Sequence, residues 1–232
     1  MTAAAHDAEK RCIFLSARTA SKAGFSRRID MVTRRTCITH IGSAVGLAVW
    51  GRLCPIYASP LQAPEHEALF WHRDGNGVIM CELCPHGCAL PEGKTGICRN
   101  RVHRGGKLLA LGYARPCAVH DDPIEKKPLY HMLPGARTYS IGVAGCNLRC
   151  KNCQNYTISQ RSPLETDYVH LPPERAVEEA IRQKCTVIAF TYTEPTVWIE
   201  YVIDTAAIAR KAGLKTALVS SGYINPVPFG EL

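Results

Sequence analysis

The C-terminal half of this chain predicts an α/β fold built on a parallel sheet. Short apolar runs rich in β-branched residues recur at Tyr139 to Val143, in TVIAFTYT and in KTALVSS. Longer segments of helical period separate them, so strand and helix signals alternate. The second run, TVIAFTYT, is almost wholly apolar, as a strand covered by helices on both faces is. Repeated βα units of this kind imply right-handed crossovers within one parallel sheet.

The elements follow in order. Gly142 and Gly145 flank the end of the first strand, where a loop begins whose backbone must pass close to a bulky group. The helix in PPERAVEEAIRQKC starts at its prolines and places Ala176, Val177, Ala180 and Ile181 on one stripe. The second strand, TVIAFTYT, leads into EPTVWIEYVIDTAAIARKAG, a helix closing on Gly213, and KTALVSS is the third strand. Ligands in such folds sit at the C-terminal ends of the strands. That edge receives the loop after the first strand, TYTEP after the second, and Ser220, Ser221 and Gly222 after the third.

The loop after the first strand reads GVAGCNLRCKNCQN, with Cys146, Cys150 and Cys153 in C-x3-C-x2-C spacing. Three thiolates so close together can hold three corners of a cubane iron–sulfur cluster and leave its fourth iron without a protein ligand. The alternatives are a zinc site short of one ligand, or three unrelated buried thiols. Upstream, CELCPHGCALPEGKTGICRNR carries Cys81, Cys84, Cys88 and Cys98 on two turns punctuated by Pro85, Gly87, Gly93 and Gly96. Four thiolates form a closed tetrahedral shell, which suits zinc or a second, fully ligated cluster and assigns the segment a structural role. His86 is a further donor in the first turn, more in keeping with a solvent-facing histidine. Cys12, Cys37, Cys54, Cys117 and Cys185 have no partner at ligand spacing and read as core or loop thiols.

Glu194, in TYTEP, is a carboxylate at a strand's C-terminal end next to Pro195. It suits either of two tasks: accepting hydrogen bonds from a ligand's ammonium group, or complementing the dipole of the following helix. Ser220 and Ser221 at the same edge line a ligand pocket or simply form a turn.

Composition frames these motifs. The chain has 232 residues, 46% of them hydrophobic, enough for a core of moderate size plus a small appendage. Of 28 Lys and Arg, nine fall in residues 1–60 with only three acids, so most of the net +8 charge belongs to the leader. That distribution does not read as a nucleic-acid footprint. Seven of twelve cysteines lie in two tight clusters, which argues for metal binding in a reducing setting over a disulfide framework. Three regions are expected: a basic, disordered leader at 1–63; a cysteine-rich segment at 64–130; and an α/β core at 131–232. The leader contains TRRTCITHIGSAVGLAVW, where Arg34–Arg35 precede a weakly apolar run too short for an ordinary transmembrane helix. It resembles a twin-arginine export signal starting near Met31, against the alternative of a plain basic extension.

The ordered motifs CELCPHGC, GKTGICRNR, DPIEKKPLYH, GCNLRCKNCQNYTISQ, TYTEP and SSGYIN cover residues 81–225. Together they resemble the radical S-adenosylmethionine (SAM) enzymes of the AmmeMemoRadiSam system, relatives of the pyruvate formate-lyase activating enzymes. The resemblance implies a [4Fe-4S] cluster on Cys146, Cys150 and Cys153, with the amino and carboxylate groups of SAM on the fourth iron. Reduction then cleaves SAM to methionine and a 5′-deoxyadenosyl radical. It also implies that Glu194 holds the SAM amino group, in a position where Tyr192 and Thr193 replace the superfamily's usual glycines. Asn152 stands where an aromatic residue often precedes the last cysteine. Expected partners are SAM, an electron donor such as flavodoxin or ferredoxin, and a substrate of unspecified class, a protein among the options. SAM dependence favours a cytoplasmic location, whereas the leader points to export. The family generally forms a partial (β/α)6 barrel, and the expectation here is its first half only, three βα units of a truncated or frame-shifted version. The rival readings are a metal-binding or electron-carrier module and an inactive fragment.

Overall fold

The computed structural model describes residues 65–232. The leader, with Arg34–Arg35, Cys12, Cys37 and Cys54, lies outside the described residues. The described residues all belong to one compact unit.

The cysteine-rich segment opens with a three-stranded antiparallel sheet of β1 (Trp71–Arg73), β2 (Ile79–Cys81) and β3 (Ala89–Leu90), followed by the hairpin β4 (Arg101–Arg104) and β5 (Lys107–Ala110). The strands are short and the turns carry most of the cysteines. Cys81 ends β2, Cys84 and Cys88 occupy the β2–β3 turn, and Cys98 sits just before β4. Gly87 and Gly93 both adopt positive φ, the conformation that lets these turns reverse.

A four-stranded sheet follows in the order β6 (Ala118–Pro123), β7 (Arg137–Gly142), β8 (Val187–Phe190), β9 (Lys215–Leu218). β7, β8 and β9 run parallel as expected, and α2 (Pro173–Arg182) and α3 (Ile199–Lys211) provide the crossovers. A one-turn helix, α1 (Tyr156–Ser159), follows the cysteine loop, and α4 (Pro226–Phe229) closes the chain. β6 is an antiparallel addition to the edge of β7, with His120 opposite Ser140 and Asp122 opposite Thr138. The last strand of the cysteine-rich stretch is thus part of the core sheet.

Alternation across the pleat divides the sheet into two faces. Tyr139, Ile141, Ile188 and Phe190 point to the helices and join a core that includes Val177, Trp198 and Tyr201. The same core continues without a break into Ile79, Leu83, Leu90 and Leu108 of the cysteine-rich segment. Trp198 is fully buried, with Phe190 edge-on at 5.9 Å between ring centroids. Losing a side chain of that size from such a site costs about 3–5 kcal/mol. The opposite face is smaller and more polar, with Thr138, Ser140, Val187, Ala189 and Ala217, partly covered by Ile124.

Two helix expectations need correction. On α2, Ala176, Val177 and Ala180 are buried, but Ile181 is 51% exposed, because the helix rests on a narrower stripe than its sequence offers. The segment after Glu194 begins as a tight 3-10 turn, Pro195–Trp198, before the α-helix starts at Ile199. Gly213 ends α3 at φ +81°, as its place in the sequence predicts. Among the described residues no helix is long and apolar enough to cross a membrane.

Candidate functional site

The cysteine loop leaves β7 through Val143 and Gly145. Gly145 has φ +96°, and a Cβ there would stand 2.5 Å from the Cys98 carbonyl oxygen. Only glycine meets both conditions, so the loop turns where it touches the upstream cysteine segment. Cys146 and Cys153 are half-buried and Cys150 is exposed. Leu148 N–H points to Cys146 Sγ at 3.4 Å, and Ser159 Oγ lies 3.3 Å from Cys153 Sγ. Such contacts to sulfur are the kind that tune an iron–sulfur centre. Burial pushes the Cys146 thiol up, the Leu148 N–H opposes this, and nearby Glu194, Cys150 and Cys153 add to the rise. Cys150, Cys153 and Glu194 therefore lie within electrostatic reach of Cys146.

Contacts to the segment after β8 and from the residues around α1 hold it in place. Asn155 Nδ2 donates to the Tyr192 carbonyl at 2.7 Å, and Thr193 Oγ1 donates to the Val143 carbonyl. Gln160 Nε2 donates to the Leu148 carbonyl at 3.0 Å and its Oε1 accepts from Arg99 at 3.2 Å.

Glu194 is buried, and its carboxylate collects donors from the ends of two strands. Oε1 accepts from Ser220 Oγ at 2.6 Å and from Thr196 N–H and Oγ1 at 3.2 and 3.1 Å. Oε2 accepts from Ser221 N–H at 2.8 Å and Ser221 Oγ at 2.7 Å. Glu194, Ser220 and Ser221, singled out separately in the sequence, are thus one hydrogen-bonded group. The bond to Thr196 also caps the following turn, so the capping reading and the ligand reading describe the same carboxylate. Ser220 and Ser221 are solvent-exposed, so the buried carboxylate is reached from solvent through two rotatable hydroxyls.

Behind this edge, on the polar face of the sheet, sits a network that the sequence does not announce. Tyr192 has φ +77°, which folds its side chain back over Gly142; a Cβ on Gly142 would come within 2.7 Å of the ring. Its hydroxyl donates to Asp122 Oδ2 at 2.6 Å. The buried Lys127 donates to the same carboxylate at 2.8 Å and to the Tyr192 hydroxyl at 3.2 Å, with Nζ 4.5 Å from the ring centroid. DPIEKK is the only sequence signal, and nothing local in it shows that Lys127 turns inward.

The upstream cysteines surround a buried charge. Cys81, Cys84 and Cys98 are buried and Cys88 is half-buried. Burial raises the Cys84 thiol and pushes Cys98 up to about 12. A Cβ on Gly96 would meet Cys88 Sγ at 3.7 Å and Cys98 Sγ at 3.8 Å, so these two sulfurs flank one point. Cys81 and Cys84 also line an open groove of about 560 Å³ beside α4. Arg101, fully buried, pairs with Glu200 of α3 and faces the Cys81 and Cys98 sulfurs. As the side chains stand, no three His, Cys, Asp or Glu among the described residues are gathered as a metal group. Both sets instead fit thiophilic centres by donor chemistry: three clustered thiols with contacts to sulfur in the loop, four in the segment before it. His86 is in the exposed turn and donates to the Asn147 carbonyl at 2.8 Å. Cys117 is half-buried beside the Gly142 carbonyl and Cys185 is buried beside Asp121, both apart from the two sets.

No solved structure matches the chain. It is 44% identical over 166 residues to the uncharacterized protein MJ0808 of Methanocaldococcus jannaschii, a match covering 72% of this chain and 50% of that protein. The chain thus spans about half the length of this curated relative. Residues 140–227, which contain the cysteine loop, Glu194, Ser220 and Ser221, match the family model of the Radical SAM superfamily.

Proposed function

We propose that the chain is a radical SAM enzyme of the AmmeMemoRadiSam type, with Cys146, Cys150 and Cys153 holding a [4Fe-4S] cluster and Glu194, Ser220 and Ser221 positioning SAM. The observation that carries this reading is the convergence of the Glu194 carboxylate and both serines at the strand edge beside Cys146. When bound, the cluster supplies the electron that cleaves SAM to methionine and a 5′-deoxyadenosyl radical. Cys146, Cys150 and Cys153 would hold the cluster by three thiolates, the loop offering no fourth. Glu194 takes the SAM ammonium as Ser220 and Ser221 rotate aside, while Thr196 keeps the carboxylate aimed. Asn155 and Thr193 fix the loop against the segment after β8, so the thiolates and Glu194 keep their relative placement.

Cys150, exposed on the loop, marks the side from which an electron donor such as flavodoxin or ferredoxin reaches the cluster. The four upstream cysteines hold zinc or a second cluster. A protein substrate and a cytoplasmic location belong to the same reading, the latter because SAM is made in the cytoplasm. A metal-binding or electron-carrier module is the competing reading, favoured by the second cysteine set alone. The test is electron paramagnetic resonance after anaerobic reconstitution and dithionite reduction. The reduced-cluster signal should change shape on adding SAM, and Cys150→Ala should abolish it. A signal indifferent to SAM would support the carrier instead.

A further inference from the structure

The two cysteine sets are built against each other. The turn carrying Cys84 reaches the radical-cluster loop at Asn147: His86 donates to the Asn147 carbonyl at 2.8 Å, and the Asn147 side chain faces the Cys84 thiol. Asn147 is 1% exposed and its Nδ2 donates to the Tyr223 carbonyl at 2.8 Å, which ties the same residue to the segment after β9. The turn carrying Cys98 touches the loop from the other side, through the tight approach of its carbonyl to Gly145. Two residues on, Asn100 donates to the Ala144 carbonyl at 2.9 Å and accepts from Gly112 N–H at 2.9 Å. Residues 144–147 are therefore gripped between the Cys84 turn and the Cys98 turn.

What sets the spacing of those two turns is the question. They are joined by β3, whose Leu90 reaches the core, and by a loop with Gly93 and Gly96, and among the described residues no hydrogen bond between the two turns sets their distance by itself. Arg101 supplies a second, independent observation. It is 0% exposed, its Nε is buried without a hydrogen-bond partner, and its guanidinium faces Cys81 and Cys98. A buried arginine donor left open toward neutral thiols is costly. A metal held by four thiolates offers sulfur acceptors that would meet the open Nε–H, while Glu200 already pairs the guanidinium charge. Burial of such a centre in turn needs a cation beside it.

We propose that Cys81, Cys84, Cys88 and Cys98 hold a thiophilic metal centre that braces the radical-cluster loop, with Asn147 and His86 as the positioning residues through which the brace acts. This rests on the reading of Cys146, Cys150 and Cys153 as cluster ligands. The centre fixes the distance between the Cys84 and Cys98 turns, and that distance fixes residues 144–147. The centre itself does not touch SAM.

The experiment uses the full chain, reconstituted anaerobically with iron, sulfide and zinc. Zinc and iron per chain are measured by elemental analysis, the reduced loop cluster by electron paramagnetic resonance, and residues 144–149 by amide hydrogen exchange. Cys98→Ser should lose the second metal, raise exchange over 144–149 at least tenfold and lower loop-cluster occupancy. Asn147→Ala should keep the second metal yet show the same rise in exchange. If Cys98→Ser does not fold, Cys88→Ser, at the half-buried ligand, decides instead. Zinc lost from these variants identifies the centre as zinc, and iron lost while Cys150→Ala keeps it identifies a second cluster. A metal-free segment in the wild-type chain, or loss of its metal with unchanged exchange over 144–149, overturns the proposal. Failure of the underlying reading looks different: Cys150→Ala would then leave the iron content and the resonance signal as they were, while exchange still reported on the brace.

Discussion

Asp122 accepts from Lys126 and Lys127, each at 2.8 Å, and from the Tyr192 hydroxyl at 2.6 Å. Burial alone would raise its carboxyl, but the three donors and the Lys127 charge outweigh it and hold Asp122 well below the usual carboxylate range. A depressed pKa of this kind contributes stability that is complete above the unfolded value of about 3.9 and fades as pH falls toward the folded value. Asp122→Asn leaves Lys127 buried without a charge partner, a change that costs about 3–5 kcal/mol. Urea midpoints measured from pH 7 down to about pH 3 should show the wild-type chain losing this advantage below about pH 4, where the variant curve should be flatter. Parallel curves would mean that the pair contributes nothing. At Glu194 the expected effect is on ligand binding. Glu194→Gln keeps the shape but loses the negative charge, and charge-assisted hydrogen bonds are about twice as strong as neutral ones. SAM affinity by equilibrium dialysis should fall by about tenfold or more, since about 1.4 kcal/mol corresponds to that factor. An unchanged affinity would reduce Glu194 to a cap.

Among the elements, β7, β8, α2 and α3 were legible because burial on both faces and a narrow helical stripe leave strong signals, and β9, only partly buried, because it repeats the βα spacing. β6 was not. Its AVHDDP is polar and ends in proline, so it reads as a loop; it becomes a strand because β7 offers it a free edge and Asp122 finds Lys127 and Tyr192 beneath it. The site divides in the same way. Cysteine spacing and strand-end position mark Cys146, Cys150, Cys153, Glu194, Ser220 and Ser221 from local sequence alone. Asn147, Asn155 and Lys127 matter through partners that only the fold brings near, so no local pattern marks them. Gly145 lies between these cases, since its glycine is visible and its neighbour is not. Gly145→Ala meets both a positive φ and the Cys98 carbonyl at 2.5 Å, whereas Gly213, at φ +81°, has nothing within 4 Å of an added Cβ. Gly213→Ala should therefore cost only the left-handed penalty of about 1–2 kcal/mol. Gly145→Ala should cost more in thermal denaturation and also lower the iron bound after reconstitution. Equal costs and equal iron would show that the contact between the two cysteine segments relaxes freely.

At the scale of the whole molecule, the cysteine-rich segment and the α/β core share one interior. Ile79, Leu83 and Leu108 belong to the same apolar cluster as Ile141, Phe190 and Trp198. Arg101 and Glu200 cross that junction as a buried ion pair between residues ninety-nine positions apart. Glu200 Oε1 also accepts from Leu69 N–H at 2.8 Å, and Arg101 donates to the Leu69 carbonyl at 2.6 Å, so the pair anchors the start of the segment as well. Because neither half covers its own apolar surface, the two should unfold together. Glu200→Gln leaves the Arg101 charge uncompensated in the interior and should lower stability by about 3–5 kcal/mol. The informative readout is how that loss is distributed. Native-state hydrogen exchange should show amides of β2, β4 and β5 losing protection in step with those of β7 and β8, and the denaturant slope should stay at its wild-type value. If the amides of β2, β4 and β5 instead lost protection while those of the core sheet kept theirs, the segment would be an independently folding unit and the shared core a contact surface only.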